Sequence, residues 1–254
     1  MSPKSKVSCD EFADEYFESE TSPGGPDGKP QTLLALFPTV RWVFPDAPVL
    51  RSARFDMNLL QWFDMWSVED PEERPEIQRD GLRHSIDRVL SVIREEEGGS
   101  RRVPRSRIFL CGISQGFATA VAALFAEAQG GFAGMIGLCS WMPFATLAEE
   151  CLGKDGTGDG TSPLSHLRTV FDVTANKLTA GVNVDAMRQT PMLITHSLDD
   201  DVVPVQNGRR LRDILMMQGF AVEWREYPDG GHWINEPQGV NDMALFLRTH
   251  MDSC

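Results

Sequence analysis

The sequence nowhere reaches the roughly 18 consecutive apolar residues that a membrane-crossing helix needs, so no such helix is expected. Its first twenty residues, MSPKSKVSCDEFADEYFESE, are polar and acidic and lack the apolar stretch of a signal peptide. There is no C-x-x-C pair. The five cysteines, Cys9, Cys111, Cys139, Cys151 and Cys254, are odd in number and widely spaced, which argues against a metal site or a disulfide framework. Cys111 and Cys139 sit in apolar runs and read as small buried hydrophobes. This usage fits a reducing compartment, so a cytoplasmic location is expected. Basic residues are also scarce. A net charge of −13 disfavours nucleic acid as a partner, because neutralising phosphates needs a basic face. It equally disfavours electrostatic docking to anionic membranes and reads best as a solvated acidic surface.

What is present is a chain of 254 residues with an ordinary apolar share of 41%, enough for one sizeable core. Residues 1–30 carry three lysines against seven acidic residues and end in TSPGGPDGKP. They are expected to be a flexible acidic segment, with at most a short helix around Phe12 to Phe17. A single domain is expected over residues 31–254. VRWVF (Val40 to Phe44) reads as a strand stopped by Pro45. Residues 77–97 read as a helix with Leu82, Ile86, Val89, Leu90 and Ile93 on one face. Strands are expected at Arg107 to Cys111, Phe132 to Leu138, Met192 to Thr195 and Ala221 to Tyr227. Helices are expected at Phe117 to Ala128, Asn207 to Met217 and Asp242 to His250. Such alternation, with short continuous apolar strands, predicts an α/β fold: a mostly parallel sheet with helices on both faces. The stretch GKDGTGDGT (Gly153 to Thr161) is expected to be a mobile loop inside a long connection from Pro143 to Pro191.

Gly112-Ile113-Ser114-Gln115-Gly116 has the G-x-S-x-G form of a nucleophile elbow. Chance alone produces that pentapeptide in roughly one chain in ten of this length. Its flanks make it specific, because an apolar strand leads in and an alanine-rich helix leads out. A turn this sharp leaves no room for bulky side chains two residues before or after the serine, which Gly112 and Gly116 provide. A nucleophilic serine needs a base, and the base needs an orienting carboxylate. Of the five histidines, His84 lies opposite the apolar stripe of its helix. His166 lies in the long connection and His250 near the terminus. His196 closes a strand and reads as structural. His232, in the glycine-rich loop after a strand, is the expected base. The carboxylate lies among Asp199, Asp200 and Asp201, and composition does not choose between them.

Several stretches together resemble the acyl-protein thioesterase group, the phospholipase/carboxylesterase family of the α/β-hydrolases. They are FPDAP (Phe44 to Pro48), WFD (Trp62 to Asp64), GISQG, LCSWMP (Leu138 to Pro143), HSLDDDVVP (His196 to Pro204) and YPDGGH (Tyr227 to His232). The resemblance runs from about Phe37 to the carboxyl terminus. It implies an α/β-hydrolase fold and a Ser-His-Asp serine hydrolase acting on acyl esters or thioesters. Acylated proteins, lysophospholipids and small carboxylic esters are the implied substrates, with no metal or organic cofactor. The family pattern H-G-x-x-D-x-x-V-P falls on His196, Ser197, Asp200, Val203 and Pro204 and so selects Asp200. The Gln115 N–H becomes the implied oxyanion donor, and Trp62 and Trp141 match family positions near the site as substrate-binding residues, or else are plain core packing.

The sequence departs from the family at one place. The family's H-G-x-G-D loop, which follows an early strand and supplies half of the oxyanion hole, has no counterpart before residue 60. The sheet is therefore expected to be incomplete at its amino-terminal edge. Loss of one such donor typically costs about 10²–10³ in rate. An impaired acyl-binding relative and a small-molecule esterase of dienelactone-hydrolase type are the alternatives. Leu164, Leu167, Val170, Phe171 and Val173 are expected to cover an acyl channel, or else to pack as a surface insertion on the sheet edge.

Overall fold

The computed structural model describes residues 16–17, 31–152, 163–171 and 181–251. Its centre is a four-stranded parallel sheet made of β5 (Phe109–Ile113), β6 (Gly134–Leu138), β7 (Met192–Ser197) and β8 (Val222–Tyr227), in that spatial order. Strand periodicity sends alternate side chains to opposite faces. Met135, Met192 and Ile194 join one apolar cluster, while Ile136, Leu138 and Leu193 join the other. The first cluster is closed by α2 (Gln78–Gly98), α3 (Gln115–Glu127) and α7 (Val205–Met217). The second is closed by α8 (Gln238–Met251). Two-sided burial is why β6 and the start of β7 read as unbroken apolar runs, whereas β8, at one edge, alternates.

The helices follow their sequence signals. In α2 the residues Leu82, Ile86, Leu90 and Ile93 are buried, and Gly99 caps its end. α3 is buried almost all round, which its alanine-rich composition permits at close packing distance. Ala128 ends it in the left-handed conformation.

Several expectations are corrected. Val40 to Phe44 is not a strand, and residues 37–48 form no ladder. Phe37, Val40 and Trp42 pack in the α8-side cluster with Phe109 and Ile113, and Trp42 stacks on Phe44. Their apolar pattern is thus satisfied by burial without a pairing strand. The structure instead has a hairpin, β3 (Val49–Ser52) with β4 (Met57–Leu60), turning through Asp56 at φ 52°. Its turn, Ala53-Arg54-Phe55-Asp56, lacks glycine, asparagine and proline, so no hairpin signal exists in the sequence.

Tyr16–Phe17 (β1) pairs with Gln31–Thr32 (β2), which leads into α1 (Leu33–Leu36). The end of the expected helix around Phe12 to Phe17 is therefore a strand, and its start lies outside the described residues. Cys139 is buried as expected, but Cys111 is exposed. β5 is the outer strand of the described sheet, and α8 packs on β6 and β7 instead.

The described residues of the long connection are largely helical, with α4 (Ala145–Leu152), α5 (Pro163–Phe171) and α6 (Val184–Arg188). Leu164, Leu167 and Phe171 are core residues of the main cluster, with Val170 packed against it. Phe171 stacks on Phe125 of α3 at 5.9 Å between ring centroids. They build the core behind α3 and do not cover a channel. Val173 and the stretch Gly153 to Thr161 lie outside the described residues.

Candidate active site

Ser114 sits between the end of β5 and the start of α3, with φ 53° and ψ −126°. A non-glycine residue in such a region costs about 1–3 kcal/mol and persists only where its surroundings fix it. Here the Ser114 N–H donates to the Leu138 carbonyl at 2.8 Å. Its own carbonyl accepts from the Phe117 and Ala118 N–H groups, both at 3.2 Å, and from Ser140 Oγ at 2.8 Å. Gly112 is required, because a Cβ there would lie 2.5 Å from the Phe117 nitrogen. Gly116 is less constrained. A Cβ there would meet Trp62 Nε1 at an ordinary 3.6 Å, so only a larger side chain collides.

Gln115 opens α3, where backbone N–H groups have no partner within the helix. Its side chain has a role the sequence did not signal. Oε1 accepts from the Trp62 N–H and Nε2 donates to the Phe63 carbonyl, both at 2.7 Å. These bonds fasten the segment after the hairpin to the elbow, and Ser85 Oγ donates to the Trp62 carbonyl from α2.

Asp200 lies in the turn after β7 and is the buried member of its triplet, while Asp199 and Asp201 are exposed. Its Oδ1 accepts from the Val202 and Val203 N–H groups, both at 2.9 Å. Its Oδ2 stands 2.9 Å from His232 Nδ1 and 3.3 Å from His196 Nε2. Burial alone would push the Asp200 carboxyl up. Hydrogen bonds from His196, His232 and the Val203 N–H outweigh burial and hold it well below the usual carboxylate range.

His232 follows β8 in a loop that turns through Gly230 at φ 121° and Gly231 at φ 60°. Two consecutive residues of the β7 turn hold two consecutive residues of this loop. Asp199 Oδ1 accepts from the Gly231 N–H at 2.8 Å, beside the Asp200–His232 contact. The loop also closes on itself, as Asn235 Nδ2 donates to the Asp229 carbonyl at 2.9 Å. The Cys139 thiol reaches the Trp233 carbonyl at 3.5 Å from the end of β6.

The structure thus brings Asp200 and His232 together. No hydrogen bond joins Ser114 to His232 among the described residues. Ser114 and Gln115 instead line a cleft of about 370 Å³ with Trp141, Phe55, Leu60 and Met65. Trp62 is not part of that lining and lies over Gly116. The hairpin side of the cleft was not foreseen, since no hairpin was. A second hollow of about 130 Å³, between β8 and α8, holds none of these groups.

Strained serine at a strand–helix turn and a buried aspartate bonded to a partly buried histidine at neighbouring strand ends are features of many hydrolases, and comparison with known proteins narrows them. The model of the phospholipase/carboxylesterase family matches residues 28–154. The chain belongs to the phospholipase/carboxylesterase family of the α/β-hydrolases. It is thereby a carboxylic ester hydrolase by class. The model of the prolyl oligopeptidase family also matches, over residues 95–253, which takes in Ser114, Asp200 and His232.

An Oryza sativa protein named a probable carboxylesterase is 24% identical over 85% of this chain and 68% of its own. Acyl-protein thioesterase 1 of Gibberella zeae is 28% identical, over 84% of this chain and 77% of its own. Among solved structures, Arabidopsis thaliana SOBER1 matches with a TM-score of 0.61 at 20% identity, covering 83% of each chain. Zea mays acyl-protein thioesterase 2 matches with a TM-score of 0.61 at 21% identity, covering 83% of this chain and 81% of its own. Both structures agree with the α/β-hydrolase fold. No helix of the described residues is long and apolar enough to cross a membrane.

Proposed function

We propose that this protein is a serine hydrolase cleaving acyl esters or thioesters with Ser114 as nucleophile, His232 as base and Asp200 as the orienting carboxylate. The observation that carries the reading is the 2.9 Å contact between Asp200 Oδ2 and His232 Nδ1, made by an anion that cannot easily be protonated. It leaves Nε2 of His232 to take the Ser114 proton as Oγ attacks the substrate carbonyl. The Gln115 N–H, at the positive end of α3, receives the developing oxyanion. His232 then protonates the leaving alcohol or thiol, and activates the water that releases the acid. Apo geometry is compatible with this route, because such hydrogen bonds commonly tighten only once substrate is bound. The chemistry uses side chains and backbone alone and needs no metal or organic cofactor.

The substrate is an acylated protein or a small acyl ester. The cleft supports this, because Phe55, Leu60, Met65 and Trp141 offer an apolar wall beside Ser114. Trp141 borders the cleft as a buried core residue packed edge-on against Phe63, and Trp62 backs the elbow through Gly116. Nucleic acid is not a partner of a surface carrying a net charge of −13. Cys111 and Cys139 form no disulfide, which supports a cytoplasmic place of action. A fluorophosphonate probe is expected to label the wild-type chain covalently and to leave Ser114→Ala unlabelled. Labelling that persists in Ser114→Ala would refute the assignment.

A further inference from the structure

Asp200 has more partners than the reaction needs. Beyond His232, the groups facing it are His196 and the Cys139 thiol, together with the Val202 and Val203 N–H groups; Asp199 and Asp201 stand exposed on the same turn. Cys139, His196 and Asp200 bring their ligand atoms within 4.8 Å of one another, with the donor types of a zinc site. Their hydrogen bonds assign the cluster otherwise. Burial pushes the Cys139 thiol up to about 12, and the Asp200 charge pushes the same way, so the sulfur keeps its proton. His196 Nε2 lies 2.8 Å from the Val203 carbonyl, which only accepts. Nε2 therefore carries the ring proton and has no lone pair for a metal.

The same proton points at Asp200. His196 Nε2 stands 3.3 Å from Asp200 Oδ2, and both side chains are fully buried. The opposite nitrogen, Nδ1, is buried without a hydrogen-bond partner among the described residues. It faces Gly208 of α7, where a Cβ would lie 2.4 Å from Nδ1 and 3.0 Å from Trp224 Cη2. Glycine inside a helix is unfavourable by about 1 kcal/mol against alanine. The α7 helix tolerates it at the one position where the imidazole needs the space.

We propose that His196 is a positioning residue for the hydrolysis, its Nε2–H shared between the Val203 carbonyl and Asp200 Oδ2 so that the carboxylate is held facing His232, with Gly208 making room for the ring. The proposal rests on the function proposed above. Four N–H groups, from Val202, Val203, His196 and His232, surround this carboxylate and stabilise its charge, so it orients and stabilises the imidazolium without accepting its proton. Removing the His196 donor leaves the Asp200 charge acting more fully on His232, which then holds its proton to higher pH.

The test compares His196→Leu, His196→Gln and Gly208→Ala with the wild type, by pH profiles of kcat/KM on a nitrophenyl ester and by thermal melting. In His196→Leu, kcat/KM should fall about tenfold and the acid limb should move up by about half a pH unit. His196→Gln returns an N–H near the same place and should restore most of both. Gly208→Ala should reproduce the leucine variant by displacing the ring. A folded His196→Leu with an unmoved acid limb overturns the proposal, as does equal damage in the leucine and glutamine variants. Nitrogen-15 NMR of the wild type gives a readout independent of activity. His196 should show its proton on Nε2, and a proton on Nδ1 overturns the proposal. A wild type that no fluorophosphonate labels would defeat the function reading, while the tautomer still judges His196.

Discussion

The two sides of the candidate site are built in opposite ways. The side that holds Asp200 and His232 stands on parallel strand ends, with Asp200 buried and His232 partly so, and is tied together by hydrogen bonds. The hairpin side is a pair of four-residue strands with Val49, Phe55, Met57 and Leu60 between 49% and 62% exposed. The first arrangement fixes atoms to within a hydrogen bond. The second offers apolar surface with little to hold it. On the proposed function, chemistry that must be repeated identically falls to the rigid elements, and contact with a variable acyl group to the exposed ones.

Substitutions that test this contrast should differ in kind as well as size. The largest effect is expected at the elbow. Ser114→Gly should abolish ester turnover, on the order of 10⁴-fold or more. It should also stabilise the fold by about 1 kcal/mol, since glycine adopts φ 53° without strain. Turnover assays and urea unfolding on one preparation check both halves. Gly112→Ala is expected to cost about 3 kcal/mol or more, because its Cβ cannot clear the Phe117 nitrogen at 2.5 Å. A melting temperature close to wild type would count against the elbow geometry.

Asp200→Asn should lower kcat by about 10⁴ by removing the charge that orients His232. It should also change the pH dependence of stability. The folded-state pKa of Asp200 lies below its ordinary 3.8. Its contribution is therefore fully present above that pH and is lost as pH falls toward the folded value. Acid unfolding of the asparagine variant should be correspondingly shallower. The smallest effect belongs to the hairpin. Phe55→Ser should cut kcat/KM about tenfold on long acyl esters, leave short esters nearly unchanged, and not move the melting temperature. Equal losses on long and short esters would break the division of labour between the two sides.

The parts legible in the sequence are those whose physics is local or doubly buried. The strands β5 to β7 are continuous apolar runs, β8 alternates apolar with charged residues, and α2 keeps helical spacing, so their positions differ from expectation by only a few residues. The elbow was legible because Gly112 answers a steric demand inside one turn. Three other features were not. The Val40 to Phe44 run has the pattern of a strand, but a ladder needs a neighbour that pattern alone does not supply. The hairpin turns through Asp56 without the glycine, asparagine or proline that would announce it. Leu164, Leu167 and Phe171 are apolar in either a cover or a core, and only their contact with α3 decides. The long-range bonds of Gln115 to Trp62 and Phe63 span some fifty positions of chain and leave no periodic trace.

Asp199 with Gly231 and Asp200 with His232 form two rungs between two loops, one residue apart on each side. Such an arrangement reads chain length as well as chemistry. Adding or deleting a single residue between β7 and Asp199, or between β8 and Gly231, shifts both rungs together and leaves neither partner opposite its mate. Insertions that a surface turn would ordinarily absorb are thus excluded from these two short stretches, while the hairpin across the cleft remains open to changes of length.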